Sequence, residues 1–175
     1  MKTTFINQNA EQTIYEGGLR YLNSRREDFM FFAEFAGIGS KDELRDYIRS
    51  SNYSFTEMRD AIRKFDEIGN LYEYGLSYDY CELGTFDDQK EDYFRFQLSW
   101  GGPSDEIRFY FDGTIEYVYL DWFSGVGFDV TGEDWAEFIK SWFEDCDMMN
   151  FANKREGSGY YEKLYEIENE EDNEE

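Results

Sequence analysis

The hydrophobic period changes between residues 93 and 143, and that change limits the folds open to the chain. Phe94, Phe96, Leu98 and Trp100 alternate with Arg95, Gln97 and Ser99, the period-two signal of a strand with one buried face. Gly101-Gly102-Pro103-Ser104 stops that run, because Gly and Pro interrupt regular structure most strongly. Ile107, Phe109 and Phe111 resume the alternation, and Asp112-Gly113 suits the φ > 0 demand of a two-residue hairpin turn. Residues 115–123 make a third run, β-branched and aromatic, and Val126, Phe128 and Val130 a short fourth. Then Trp135, Phe138, Ile139, Trp142 and Phe143 recur at i, i+3, i+4, i+7 and i+8, one apolar stripe on a helix. The expected class is α+β: an antiparallel β-meander of three to five strands, with a C-terminal amphipathic helix packed on one face.

The residues before the meander read mainly as helix. Residues 2–6 suit a short edge strand. Residues 11–23 have helical spacing weakened by Gly17-Gly18, since each Gly costs about 1 kcal/mol against Ala in a helix. Residues 25–35 form a second helical stretch. Ser40-Lys41-Asp42-Glu43 and Ser54-Phe55-Thr56-Glu57 are both capping boxes, predicting helices over 41–49 and 55–68, with Gly69 as a stop. A strand is expected around 76–81. This gives a helical segment or subdomain at 1–70, a meander-plus-helix core at 71–147, and a linker with an acidic, disordered tail at 148–175.

Charge is the compositional outlier: 40 acidic residues face 17 basic ones, with no histidine, for a net of −23. Residues 1–67 hold 12 acids and 10 bases, residues 68–150 hold 19 and 4, and residues 151–175 hold 9 and 3. Such a chain repels nucleic acid, anionic membranes and acidic substrates, and attracts basic surfaces. The absence of histidine excludes Ser-His-Asp and Cys-His arrangements. P-loop, dinucleotide-binding and EF-hand patterns are absent from the sequence. Cys81 and Cys146 read as reduced thiols of a cytosol-like compartment, and nothing near Met1 resembles a signal peptide. No catalytic residue, cofactor or metal is therefore expected, and the chain reads as other than an enzyme.

The acids can be arranged as phosphates are. Duplex DNA carries a negative charge about every 3.4 Å on each strand, and alternate strand positions or successive helix turns space side chains about 6 Å apart. The candidate mimic surface comprises Asp87, Asp88, Glu91 and Asp92 in one loop, Asp105 and Glu106 opening a strand, Asp112 and Glu116 around the hairpin, and Glu133, Asp134 and Glu137 on the helix. Tyr110, Tyr117 and Tyr119 form a candidate aromatic interface, since exposed aromatic patches tend to mark interfaces.

The run Leu98-Ser99-Trp100-Gly101-Gly102-Pro103-Ser104-Asp105, with Arg108-Phe109-Tyr110 and Tyr119-Leu120-Asp121-Trp122-Phe123, resembles small acidic anti-defence proteins of phages and conjugative elements, of the anti-CRISPR or antirestriction type. The likeness covers about residues 93–130. It implies an inhibitor of a host nuclease, acting in the bacterial cytoplasm as a nucleic-acid mimic. The partner would be a basic nucleic-acid-binding protein, a CRISPR effector or restriction enzyme, with no direct binding to nucleic acid or membrane. The alternative is an acidic interaction module that binds a partner, or a second copy of itself, through aromatic surface. An enzyme using carboxylates alone is a third reading.

Overall fold

The structure, a computed structural model, describes residues 1–6, 11–86 and 89–150. Among these residues, six strands form one antiparallel sheet: β1 (Thr3–Ile6), β2 (Ser77–Cys81), β3 (Tyr93–Gln97), β4 (Ser104–Tyr110), β5 (Ile115–Asp121) and β6 (Ser124–Asp129). Their spatial order is β1-β6-β5-β4-β3-β2. The α+β class and the meander are as expected; β1 and β2 extend the sheet to six strands by flanking it. The helices are α1 (Glu11–Glu34), α2 (Lys41–Ser50), α3 (Phe55–Ile68), the single turn α4 (Leu71–Tyr74) and α5 (Asp134–Asp145). Of the linker and acidic tail expected at 148–175, residues 148–150 are described and Met149 is buried in the core, which corrects the expectation there; residues 151–175 lie outside the described residues.

One sheet face is apolar and lies under α1 and α5. Phe94, Phe96, Ile107, Phe109, Ile115, Tyr117, Tyr119, Val126 and Phe128 project there and join Leu22, Phe29, Trp135, Ile139 and Phe143 in one core. Phe29 and Trp135 stack with ring centroids 5.4 Å apart, fastening the two helices to each other. Residues 11–23 and 25–35 are not two helices but one. Gly17-Gly18 is what lets that helix lie so close to the sheet. A Cβ at Gly18 would stand 2.5 Å from Val126 Cγ1 and 2.9 Å from Phe128 Cε2, and one at Gly17 would stand 3.4 Å from the Tyr119 ring. The close approach offsets the poor intrinsic helix propensity of glycine.

Packing crosses the boundary expected at residue 70. β1 is an edge strand of the sheet and α1 its main cover, so the first third of the chain helps build the core. Helices α2 and α3 pack around a second, smaller cluster of Phe35, Leu44 and Ile48. Both capping boxes form: Ser40 and Ser54 accept from the backbone N–H of Glu43 and Glu57, whose carboxylates accept from the serine N–H groups in return. Gly69, at φ +70°, ends α3. The β4–β5 turn differs from the expected two-residue form. Tyr110 N–H bonds to Thr114 O at 2.9 Å, leaving Phe111, Asp112 and Gly113 as a three-residue loop with Gly113 at φ +87°, the next commonest hairpin geometry.

Adding one methyl at position 18 tests this packing. On an exposed helix Gly→Ala stabilises by about 1 kcal/mol; here Gly18→Ala is expected to destabilise by about 1–3 kcal/mol through overpacking, read as a lower urea midpoint. A higher midpoint would contradict the contact.

Candidate binding surface

The second sheet face is built from the intervening positions, and it is charged. Asp79, Arg95, Arg108, Glu116 and Asp129 occupy one register row across β2, β3, β4, β5 and β6. Arg95 and Arg108 stand directly opposite each other, a repulsive pairing. Asp79 and Glu106 neutralise it: Arg95 Nη2 donates to Asp79 at 3.0 Å, Arg108 Nε donates to Glu106 at 2.7 Å, and Arg95 Nη1 lies 3.8 Å from Glu106. The Arg108 guanidinium also lies 4.7 Å from the centre of the Tyr93 ring.

At the end of this face bearing the β4–β5 turn there is a cavity of about 440 Å³. Glu91 reaches it from the β2–β3 connection, Asp112 from the turn, Glu116 from β5 and Asp129 from β6; Lys2, Lys90, Arg108, Tyr93 and Tyr110 also line it. Glu116 Oε1 occupies the space a Cβ at Gly127 would need, 2.2 Å from that position, so the glycine gives the carboxylate its place. Tyr110 Oη donates to Glu116 Oε2 at 3.1 Å. Burial, reinforced by Asp129 and Glu106, raises the Glu116 pKa from its ordinary 4.5 despite the opposing Arg108 charge and Tyr110 bond. Burial and the charges of Asp112 and Asp92 raise that of Glu91. Carboxylates so placed in a cavity are natural binding-site candidates.

The expected mimic surface is therefore divided. Glu91, Asp112 and Glu116 come together around the cavity, joined by Asp129, which the sequence did not single out. Asp105 does not belong to the surface. It is 1 % exposed, and Arg25 Nε and Nη2 grip it at 2.7 and 3.0 Å while Tyr117 Oη donates to it at 2.7 Å. Glu106 is 4 % exposed and committed to Arg95 and Arg108. Asp92 accepts from Tyr80 Oη and, at 3.0 Å, from Leu83 N–H. Glu133 accepts from Arg26 at 2.5 Å and from Trp135 Nε1 at 2.6 Å. Asp134 is exposed in the first turn of α5, and Glu137 is half-buried, accepting from Gly132 N–H at 2.9 Å. Asp87 and Asp88 lie outside the described residues.

Nor do the three tyrosines form one surface. Tyr117 (0 % exposed) and Tyr119 (6 %) lie under α1, whereas Tyr110 is on the charged face, 5.4 Å from Tyr93 between ring centres. The most exposed aromatics of the strand connections lie instead at the opposite end of the sheet. Trp100 is 79 % exposed in the β3–β4 connection, and Trp122 (81 %) and Phe123 (87 %) make the β5–β6 turn. Trp122 adopts φ +51°, a conformation strained for a bulky residue. Its ring leaves no room for a Cβ at Gly102, which would stand 2.9 Å away. A count of strand positions would have exposed this turn, since Asp121 pairs with Ser124 and the two residues between leave the ladder.

Among the described residues, no group of Cys, Asp and Glu is placed to hold a metal ion, and no helix is long and apolar enough to cross a membrane. No family model, curated protein or solved structure matches the chain.

The raised Glu116 pKa sets a pH dependence. Above that pKa the folded state keeps a buried charge at a cost; below it the folded state binds a proton that the unfolded chain takes up only near 4.5. This contribution therefore grows more favourable as pH falls toward 4.5. Glu116→Gln keeps an acceptor for Tyr110 and removes the titration. Comparing urea midpoints at pH 7 and pH 5, the gain on acidification should be smaller in the variant than in the parent; an equal gain would contradict the assignment.

Proposed function

We propose that this protein is a non-enzymatic inhibitor of a host nuclease that targets nucleic acid, a CRISPR effector or restriction enzyme, and that it acts in the bacterial cytoplasm by occupying the partner's cationic groove. The observation that carries this reading is that ion pairing takes up most of the described cations and leaves Glu91, Asp112 and Asp134 exposed. In the helical third, bases meet acids: Arg45–Asp42, Arg49–Asp46, Arg63–Asp60, Lys41–Asp66 and Lys64–Asp28 are all paired. In the sheet half, Arg95 and Arg108 are consumed by Asp79 and Glu106. Glu91, Asp112 and Asp134 remain exposed. A folded body with unneutralised carboxylates at the turn end and on α5 suits fast, electrostatically steered association with a basic cleft.

A second reading has its own observation, the exposed Trp100, Trp122 and Phe123 at the other end of the sheet. Contact there would bury apolar surface, which salt does not screen.

One experiment separates the two: capture of nuclease complexes from lysates expressing CRISPR effectors or restriction enzymes, at low and high salt. The charge-reversed variants E91K/D112K and D134K/E137K should lose the captured nuclease, and high salt should release it from the parent, with melting temperatures confirming intact folds. Capture indifferent to salt and to both reversals, but abolished by W122A/F123A, would sink the mimic reading and favour the aromatic one.

A further inference from the structure

The turn-end cavity has features that solubility alone does not require. Four carboxylates converge on it from four chain segments, and the cations beside them do not balance them. Arg108 is already bonded to Glu106, while Lys2 and Lys90 are exposed on flexible stems. Glu91 and Glu116 are both held above the ordinary carboxylate range by burial and by neighbouring acids, a strain that an incoming cation would relieve. Independently, Tyr93 lines the cavity, is 1 % exposed, and has a hydroxyl with no hydrogen-bond partner. A buried hydroxyl is seldom left so, because forgoing the bond costs folding free energy.

We infer that the cavity receives an arginine side chain of the protein partner, its guanidinium held among Glu91, Asp112 and Glu116 and donating to the Tyr93 hydroxyl. The inference rests on the proposed function, which supplies a partner surface rich in arginine. Arginine suits the site better than lysine: its planar fork bonds carboxylates in pairs, it stacks on aromatic rings, and it sheds water more readily. Arg108 already packs on Tyr93 in this way. The volume of about 440 Å³ falls within the range of small-molecule sites and admits the side chain with its flanking peptide.

The test needs no partner. The full chain is titrated with N-acetyl-arginine-N-methylamide, and with its neutral citrulline isostere, following backbone amide shifts. Saturable shifts at Tyr93, Tyr110, Asp112 and Glu116 are expected for the arginine compound alone, with affinity on the order of millimolar for so small a probe. D112N and E116Q should each weaken it by about tenfold. Y93F should weaken binding while leaving the melting temperature unchanged or higher, since it removes a hydroxyl that has no partner in the free protein. Absence of saturable shifts, equal shifts with citrulline, or a Y93F protein that melts lower and binds normally would each overturn the inference. Capture of nuclease lost on D134K/E137K reversal, together with absent arginine binding, would overturn this inference and leave the proposed function standing. Arginine binding, with no nuclease captured at either salt concentration, would overturn the proposed function and leave the arginine site standing.

Discussion

Asp105 sits on the apolar face of the sheet, and the molecule is arranged to keep its charge satisfied there. Burying a lone carboxylate costs several kcal/mol, so its partners must converge from different segments. Arg25 comes from α1, Tyr117 from β5 and Ser99 from the β3–β4 connection. Burial alone would lower the Arg25 pKa, but the hydrogen bond and charge of Asp105 raise it on balance, keeping the guanidinium charged. The network continues outward: Arg25 donates to Tyr74 Oη at 2.8 Å, Tyr74 donates to Asp28, and Asp28 pairs with Lys64 on α3. Sheet, long helix and helical hairpin are thereby held in one register. Gly17 and Gly18 let the same helix α1 lie close to β5 and β6.

The same rule sorts the remaining acids. Each carboxylate that is buried among the described residues has been given a cation. Asp105 takes Arg25, Glu106 takes Arg95 and Arg108, and Asp28 takes Lys64. Among the described residues, Glu91 and Asp112 at the turn end and Asp134 on α5 are left exposed. Under the proposed function those acids contact the partner, while the paired ones keep the fold rigid enough to present them.

Much of the fold was legible because local chemistry agreed with the global structure. The capping boxes at Ser40 and Ser54, the alternation through β3 to β6 and the apolar stripe of α5 each needed only a few neighbouring residues. What was missed depended on tertiary partners. The pair Gly17-Gly18 reads as a helix weakness until the sheet beneath it is known. Acid content alone placed Asp105 on the surface, yet it shares strand parity with Ile107 and Phe109, and that parity already pointed inward. Tyr117 and Tyr119 share the parity of Ile115 and are buried, while Tyr110 has the opposite parity and faces the charged side. Trp100 continued the alternation of Phe94 and Phe96 on paper, but β3 ends at Gln97 and the ring projects into solvent. Of the candidate site, the convergence of Glu91, Asp112 and Glu116 depended on strand order, which composition and spacing do not supply.

Sorting by burial is the central physical claim, and carboxyl footprinting of the native chain measures it directly. With a water-soluble carbodiimide and an amine label, followed by mass spectrometry, Asp112 and Asp134 should react rapidly. Asp105 and Glu106 should stay unlabelled until the protein is unfolded in urea. Native-state labelling of Asp105 or Glu106 at the rate of Asp112 would contradict the account, because the acids would then form one undivided surface.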